Sequence, residues 1–297
     1  MIIGKPVYVE GREYHRLRLL GDGGYCNTYL ARDVEAGYQV TLRELKDGKK
    51  EKFGRKLFSN GIKAHRLVNG KGRFPKLQRH SDTKTVLDYI PGKPVHRYPK
   101  QPPEIALAVA YQAAECLYHL HGLKPEGVEV VHRDVTPSNL ILTPGGEEFL
   151  IDLDTVRVSK KDLVDREIFP PGTNGYGSPE KLQFIPETQQ SDLFSLGSVL
   201  YQLVTGERPL DFNANLRWEE GLEWFDIAVY QAGVIPARVV ILDKRTHISQ
   251  VIRRCWRING EYESAEEMLE ELADRLKRKG IKSEETADTI ASWIGKK

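Results

Sequence analysis

The residues with the most chemistry in them lie in one stretch, His132-Arg133-Asp134-Val135-Thr136-Pro137-Ser138-Asn139, which feeds into apolar Leu140-Ile141-Leu142. A second apolar run, Phe149-Leu150-Ile151, ends in Asp152, and Thr143-Pro144-Gly145-Gly146 between the runs reads as a turn. A hairpin of that length brings Asn139 and Asp152 to one end, with the Asp134 carboxylate nearby. Both offer hard oxygen atoms. Magnesium takes one or two such protein oxygens and completes its shell with water and phosphate. The competing reading is a polar loop that does no more than cap a hairpin.

A second stretch suited to phosphate is Gly21-Asp22-Gly23-Gly24-Tyr25-Cys26. It sits between the strand-like runs Tyr14 to Leu20 and Thr28-Tyr29-Leu30-Ala31. Glycines let backbone amides approach phosphate oxygens with no side chain in the way, although a simple hairpin turn has the same composition. Tyr38-Gln39-Val40-Thr41-Leu42-Arg43 continues the strand pattern. From Phe53 to His80 there is no Asp or Glu, against eight basic residues: Arg55, Lys56, Lys63, Arg66, Lys71, Arg73, Lys76 and Arg79. Such a run is a solvated face, or in the sharper reading a docking surface for an acidic partner, with nucleic acid the less favoured ligand.

The elements that must position these residues follow. Pro102-Pro103 opens a helix that Gly122 closes. Its apolar residues (Ile105, Ala106, Val109, Ala110, Ala113, Leu117, Leu120) surround most of the circumference, so it is buried. A helix from Gln190 carries Leu193, Leu196, Leu200 and Leu203 on one face and stops at Gly206-Glu207-Arg208-Pro209. The tail from Ser283 to Ile294 reads as a further helix, with Ala287, Ile290, Trp293 and Ile294 as its apolar face against the larger part of the chain.

These motifs resemble those of eukaryotic-type protein serine/threonine kinases over about residues 14–273. His132 to Asn139 resembles H-R-D-x-x-x-x-N, and Asp152-Leu153-Asp154 stands where D-F-G is expected. Gly21 and Gly23 match the first two glycines of G-x-G-x-x-G, with Cys26 at the third. Val40-Thr41-Leu42-Arg43 is similar to V-A-I-K, with arginine for lysine. Thr85 to Gly92 resembles the segment joining the two kinase lobes. Gly172-Thr173-Asn174-Gly175-Tyr176-Gly177-Ser178-Pro179-Glu180 resembles G-T-x-x-Y-x-A-P-E, a motif of kinases that dock a peptide.

The resemblance implies a two-lobed α+β fold, with a small β-rich lobe over 1–90 and a larger, mainly helical lobe over 91–297. It makes Asp134 the base and Arg133 its neighbour that binds an activating phosphate. Asn139 and Asp152 become the magnesium ligands. Gly21, Gly23 and Gly24 cover the ATP phosphates, Arg43 stands where lysine contacts them and by its chemistry can grip them with two prongs, and the backbone near Asp88 and Ile90 bonds adenine. Thr136 stands where such kinases carry lysine, as it does in bacterial branches. Asp192 braces the catalytic loop. The family's lysine partner, a glutamate on a helix that must fall within 53–69, is missing, as is an arginine partner for Glu180 unless Arg253, Arg254 or Arg257 serves. Asp162, Asp165 or Glu167 could offer Arg133 a carboxylate in place of a phosphate.

Composition limits the alternatives. The 297 residues suffice for two lobes, each with its own core. A net charge of +2, with 29% charged and 40% apolar residues, singles out no partner class. Three cysteines without paired spacing argue for a reduced, cytoplasmic setting and against a disulfide framework or a zinc site. No apolar run reaches membrane-span length, and Met1 to Pro6 does not read as a signal peptide. The expected function is a weak or unconventional phosphotransferase moving the ATP γ-phosphate to a protein hydroxyl. The alternative is a pseudokinase that binds nucleotide or a regulatory protein and acts as a scaffold.

Overall fold

Val7 and Val9 turn inward while Tyr8 between them is exposed, the period of two that lets a strand bury one face. The computed structural model describes residues 2–46, 51–68, 70–123, 128–160, 175–182, 185–209, 247–258 and 260–296. The chain divides into two units, one of residues 1–91 with 151–156, the other of residues 92–150 with 157–297.

The first unit is a six-stranded antiparallel sheet formed by β1 (Val7–Val9), β2 (Arg12–Asp22), β3 (Cys26–Asp33), β4 (Gln39–Leu45), β5 (Leu77–His80) and β6 (Lys84–Asp88), in the order β1-β2-β3-β4-β6-β5. Val7, Val9, Tyr14, Ala31, Val40, Leu42 and Val86 form one core cluster. Helix α1 (Glu51–Val68) buries Leu57, Phe58, Ile62, Ala64, His65 and Val68 at helical spacing. Phe58 and Ile62 pack with Cys26 into a second cluster. Arg55, Lys56, Lys63 and Arg66 take the exposed side, so the basic residues of this helix form a solvated face.

The second unit is mainly helical. Helix α2 (Pro103–His121) is buried around most of its circumference, as its composition predicts. It packs against α4 (Gln189–Thr205), α6 (Ala265–Lys277) and α7 (Thr286–Ile294). A capping box between Thr188 and Ser191 starts α4, and Gly206 at φ +81° ends it. A Cβ on Gly197 would lie 2.3 Å from that of Cys255, so this glycine is what lets α5 (His247–Cys255) lie directly on α4. Strands β7 (Lys93–Pro94), β9 (Leu140–Leu142) and β10 (Glu148–Leu150) form a small sheet, and β8 (Val128–Val131) pairs with β11 (Arg157–Lys160). A short helix α3 covers Pro179–Leu182. Helix α7 buries Ile290, and its Trp293 meets the Tyr98 ring edge-on at 5.2 Å, so the C-terminal helix packs on its own unit as expected. Among the described residues no helix is long and apolar enough to cross a membrane.

Candidate functional site

The loop from His132 to Asn139 leaves β8 and enters the β9–β10 hairpin, whose register sets Leu140 opposite Leu150, so Asn139 and Ile151 flank its open end. Asp192, fully buried in the first turn of α4, fastens the loop. Its carboxylate accepts from the amides of His132 (2.7 Å) and Arg133 (2.8 Å) and pairs with His121 Nε2 (2.8 Å). Burial alone would raise its pKa, but the hydrogen bonds and charge of His121 and the loop amides outweigh it and hold the carboxyl below its ordinary range. His132 is buried, its pKa pushed down by desolvation, and its Nδ1 accepts from the Asp134 amide at 3.2 Å. The result is a loop whose backbone is pinned from below while the Asp134 carboxylate stays partly open to solvent.

Asn139 faces Asp134. Its Nδ2 donates to the Asp134 carbonyl (2.9 Å) and to Oδ2 (2.8 Å), which turns Oδ1 away as an acceptor for a cation. Thr136 is buried, and its hydroxyl has no partner among the described residues. Arg133, at φ +72°, sends Nε to Glu187 Oε2 at 3.0 Å, and its carbonyl accepts from Lys181 Nζ. Desolvation pushes the Glu187 carboxyl up against the pull of Lys181 and Arg133. Glu180 is held by Arg257 and Ser191, so Arg257 is the arginine that the sequence left open among three.

In the first unit, β2 ends at Asp22 and β3 begins at Cys26, with a Gly23 amide to Cys26 carbonyl bond of 3.0 Å closing the turn. Gly21 and Gly24 have open space where a side chain would be. Lys46 Nζ donates to the Gly23 carbonyl at 2.7 Å and to Asp22, so this lysine holds the glycine turn. The Asp88 amide and carbonyl both have partners within the unit, Lys76 O at 3.0 Å and the Thr41 hydroxyl at 3.3 Å. The Ile90 backbone has none among the described residues.

Arg43 departs from the expectation that its two prongs face phosphate. It is buried, and both terminal nitrogens go to Asp154, Nη1 to Oδ1 at 2.8 Å and Nη2 to Oδ2 at 2.6 Å. Nη2 also lies 3.5 Å from Asp152 Oδ1. Burial would lower the Arg43 pKa, but Asp154 and Asp152 raise it and keep the guanidinium charged. Tyr25 Oη donates to Asp154 Oδ2 at 2.6 Å. Asn60 Nδ2 donates to the carbonyls of Asp154 (2.8 Å) and Val156 (2.6 Å). Asp152 itself sits at φ +62°, with its side chain 40% exposed.

A family model for the protein kinase domain matches residues 14–259. The chain belongs to the protein kinase family. It is 28% identical over 225 residues to a serine/threonine-protein kinase PknA of Corynebacterium glutamicum, a match covering 70% of this chain and 46% of that protein. Serine/threonine-protein kinase PrkC of Bacillus subtilis is 28% identical over 220 residues, 71% of this chain and 33% of its own length. Serine/threonine-protein kinase 36 of Pongo abelii is 30% identical over 207 residues, 66% of this chain and 15% of its own length. The chain thus spans less than half the length of each. The β-rich first unit and helical second unit agree with the α+β kinase fold expected from the motifs.

Within the protein kinase family, the chain has an unusual set of supports. ATP and a divalent metal serve the family in general, and the donors here suit a hard cation: taken singly, Asn139 offers an amide oxygen and Asp152 a carboxylate. Leu153 is fully buried, as the aromatic residue of the motif would be. Sequence reasoning missed Asp154 as the partner of Arg43. The signal was an acid in place of a glycine in Asp152-Leu153-Asp154, coinciding with the acid-free run from Phe53 to His80. It also missed Glu187, for which spacing carries no signal. Gly172, Thr173, Asn174, Asp162, Asp165 and Glu167 lie outside the described residues.

Proposed function

We propose that the chain is a protein serine/threonine kinase-like phosphotransferase, moving the γ-phosphate of ATP to a protein hydroxyl with weak or unconventional activity. The observation that carries this reading is Asp134, a partly exposed carboxylate oriented by Asn139 on a loop that Asp192 pins. A carboxylate so held can orient a substrate hydroxyl and accept its proton. Phosphoryl transfer asks little else of a protein beyond positioning and charge. Asn139 and Asp152 would hold magnesium, which when bound neutralises charge on the phosphates. Gly21, Gly23 and Gly24 would cover them, with adenine bonded by backbone at Ile90 rather than by the Asp88 amide, which is already engaged. Glu180, fixed by Arg257 and Ser191, supports a peptide-docking segment and hence a protein substrate.

A second reading is favoured by Arg43, whose terminal nitrogens are both taken by Asp154. In it the chain is a pseudokinase, acting as a nucleotide-binding or scaffolding module through its surface. The exposed basic side of α1 is then the place for an acidic regulatory protein. Three buried cysteines, none of them in a disulfide, suit work in the cytoplasm. Transfer of labelled γ-phosphate to protein, with Asp134→Ala as control, separates the readings. Transfer lost in the variant supports the kinase; no transfer by the wild-type chain supports the scaffold.

A further inference from the structure

In this chain the carboxylate that faces Arg43 does not come from helix α1, which has no acid after its first residue, Glu51. It comes from residue 154, and the helix is shaped to admit it. A Cβ built on Gly61 would lie 1.9 Å from Asp154 Oδ1 and 2.9 Å from Cγ, so a side chain at 61 and this carboxylate compete for the same space and one must shift. Residues 43, 61 and 154 therefore form one spatial choice. Either the helix bears an acid and residue 154 is small, or the helix bears glycine and residue 154 bears the acid.

We propose that Asp154 is the positioning residue of this site, holding Arg43 so that its guanidinium braces Asp152. The inference rests on the reading of Asp152 as a metal-holding carboxylate. Three features carry it. The Arg43–Asp154 contact is bidentate, which fixes the plane of the guanidinium as well as its distance. The edge so fixed places Nη2 at 3.5 Å from Asp152 Oδ1, beside a backbone at φ +62°, a left-handed conformation uncommon outside glycine. Asp154 is in turn held from the glycine turn by Tyr25 and from α1 by Asn60, which bonds the main chain of residues 154 and 156. Desolvation and the neighbouring Asp154 and Asp152 push the Tyr25 phenol far up, so it remains a donor. Arg43 thus serves as a brace between two carboxylates, and Asp154 acts on Asp152 through it.

The test is the gain in ATP affinity that magnesium confers, measured by calorimetric titration with magnesium and with a chelator. Wild type is compared with Asp154→Asn, Arg43→Ala, their double variant, and the exchange Arg43→Lys/Gly61→Glu/Asp154→Gly. A folded Asp154→Asn is expected to lose about tenfold of the magnesium-dependent gain, as for loss of a group that orients a metal ligand. Arg43→Ala should lose as much, the double variant no more than either, and the exchange variant should recover most of it. A folded Asp154→Asn whose gain is within twofold of wild type overturns the inference, since a merely structural pair would shift thermal stability alone. Should Asp154→Asn not fold, the exchange variant decides: recovery of the gain upholds the proposal, and absence of recovery or of folding overturns it. Wild-type protein that binds ATP indifferently to magnesium defeats the metal-site reading, and the positioning role with it. That failure shows in the wild type, whereas failure of the inference alone shows only in the variants.

Discussion

Arg133 and Glu187 form a largely buried ion pair, Nε to Oε2 at 3.0 Å, with their side chains 11% and 7% exposed. The arginine beside the candidate base therefore already has an anion next to it. Desolvation raises the Glu187 carboxyl, so the pair is not optimised for stability, and its value lies in where it holds the loop. The sequence offered Asp162, Asp165 or Glu167 for this role, which lie outside the described residues; the described carboxylate is Glu187, further along the chain. Activity is accordingly expected to survive phosphatase treatment. Glu187→Gln should destabilise the second unit by about 3 kcal/mol, the low end for removing one member of a buried pair, because relief of the burial of Glu187 offsets part of the loss. Phosphatase sensitivity together with a neutral Glu187→Gln would show that a phosphate, and not this carboxylate, serves Arg133.

Magnesium-dependent nucleotide binding is expected from the donors at Asn139 and Asp152. Asp152→Asn keeps the size of the side chain and removes its charge. It should weaken ATP binding in magnesium by about tenfold or more while leaving affinity in chelator unchanged. Titration under both conditions checks this. Equal losses in the two would mean that Asp152 supports the fold rather than a metal.

Much of this arrangement was legible beforehand, and the reason is local. The β9–β10 hairpin and the loop before it are specified by contiguous residues: an apolar run, a Thr-Pro-Gly-Gly turn and another apolar run. The buried helix α2 is written in its all-round apolar pattern, and the Asp192 brace in the fixed spacing of its motif. Arg43 was harder to read because its partner lies 111 residues away and replaces a residue type absent from the expected helix. Composition showed the missing acid but could not say where its substitute came from. Lys46, three residues on from Arg43 and so of the other parity along the strand, holds the glycine turn. Glu187 sits in a connection between helices, where no periodicity reports on side-chain direction.

His65 gives the first unit a pH dependence. It lies on α1, buried, with Nδ1 near the Pro75 carbonyl at 3.1 Å, and with Arg43 and Asp154 as the charged groups that act on it. Desolvation first, then the Arg43 charge, lower its pKa from 6.5 to about 4. A depressed pKa in the folded state means that the unfolded chain binds the proton first as pH falls. Stability from this group is complete above pH 6.5 and declines as pH falls toward 4, by about 3 kcal/mol in all. Urea unfolding at pH 7 and pH 4.5 should show wild type losing more than His65→Gln by most of that amount. Parallel losses in the two proteins would remove His65 from the account.

The sharpest stability test is Gly61→Ala. In an ordinary exposed helix interior this change favours the helix by about 1 kcal/mol. Here the new methyl meets Asp154 Oδ1, with a built distance of 1.9 Å, and that oxygen cannot move aside freely because Arg43 holds it. The other oxygen is held by Arg43 and Tyr25. The sign should reverse, to a loss of roughly 2–3 kcal/mol from overpacking. Gly24→Ala, with nothing within 4 Å of the added carbon, serves as the control and should change little. The cause is isolated by repeating Gly61→Ala in an Asp154→Gly background, where the obstructing carboxylate is gone. Asp154→Gly is itself costly, since it leaves Arg43 buried without its bidentate partner, so the comparison is between the two effects of the alanine. The alanine should be harmful with Asp154 present and neutral or favourable without it, a coupling of at least about 2 kcal/mol. If it costs the same in both backgrounds, the glycine serves some feature of the helix other than admission of this carboxylate.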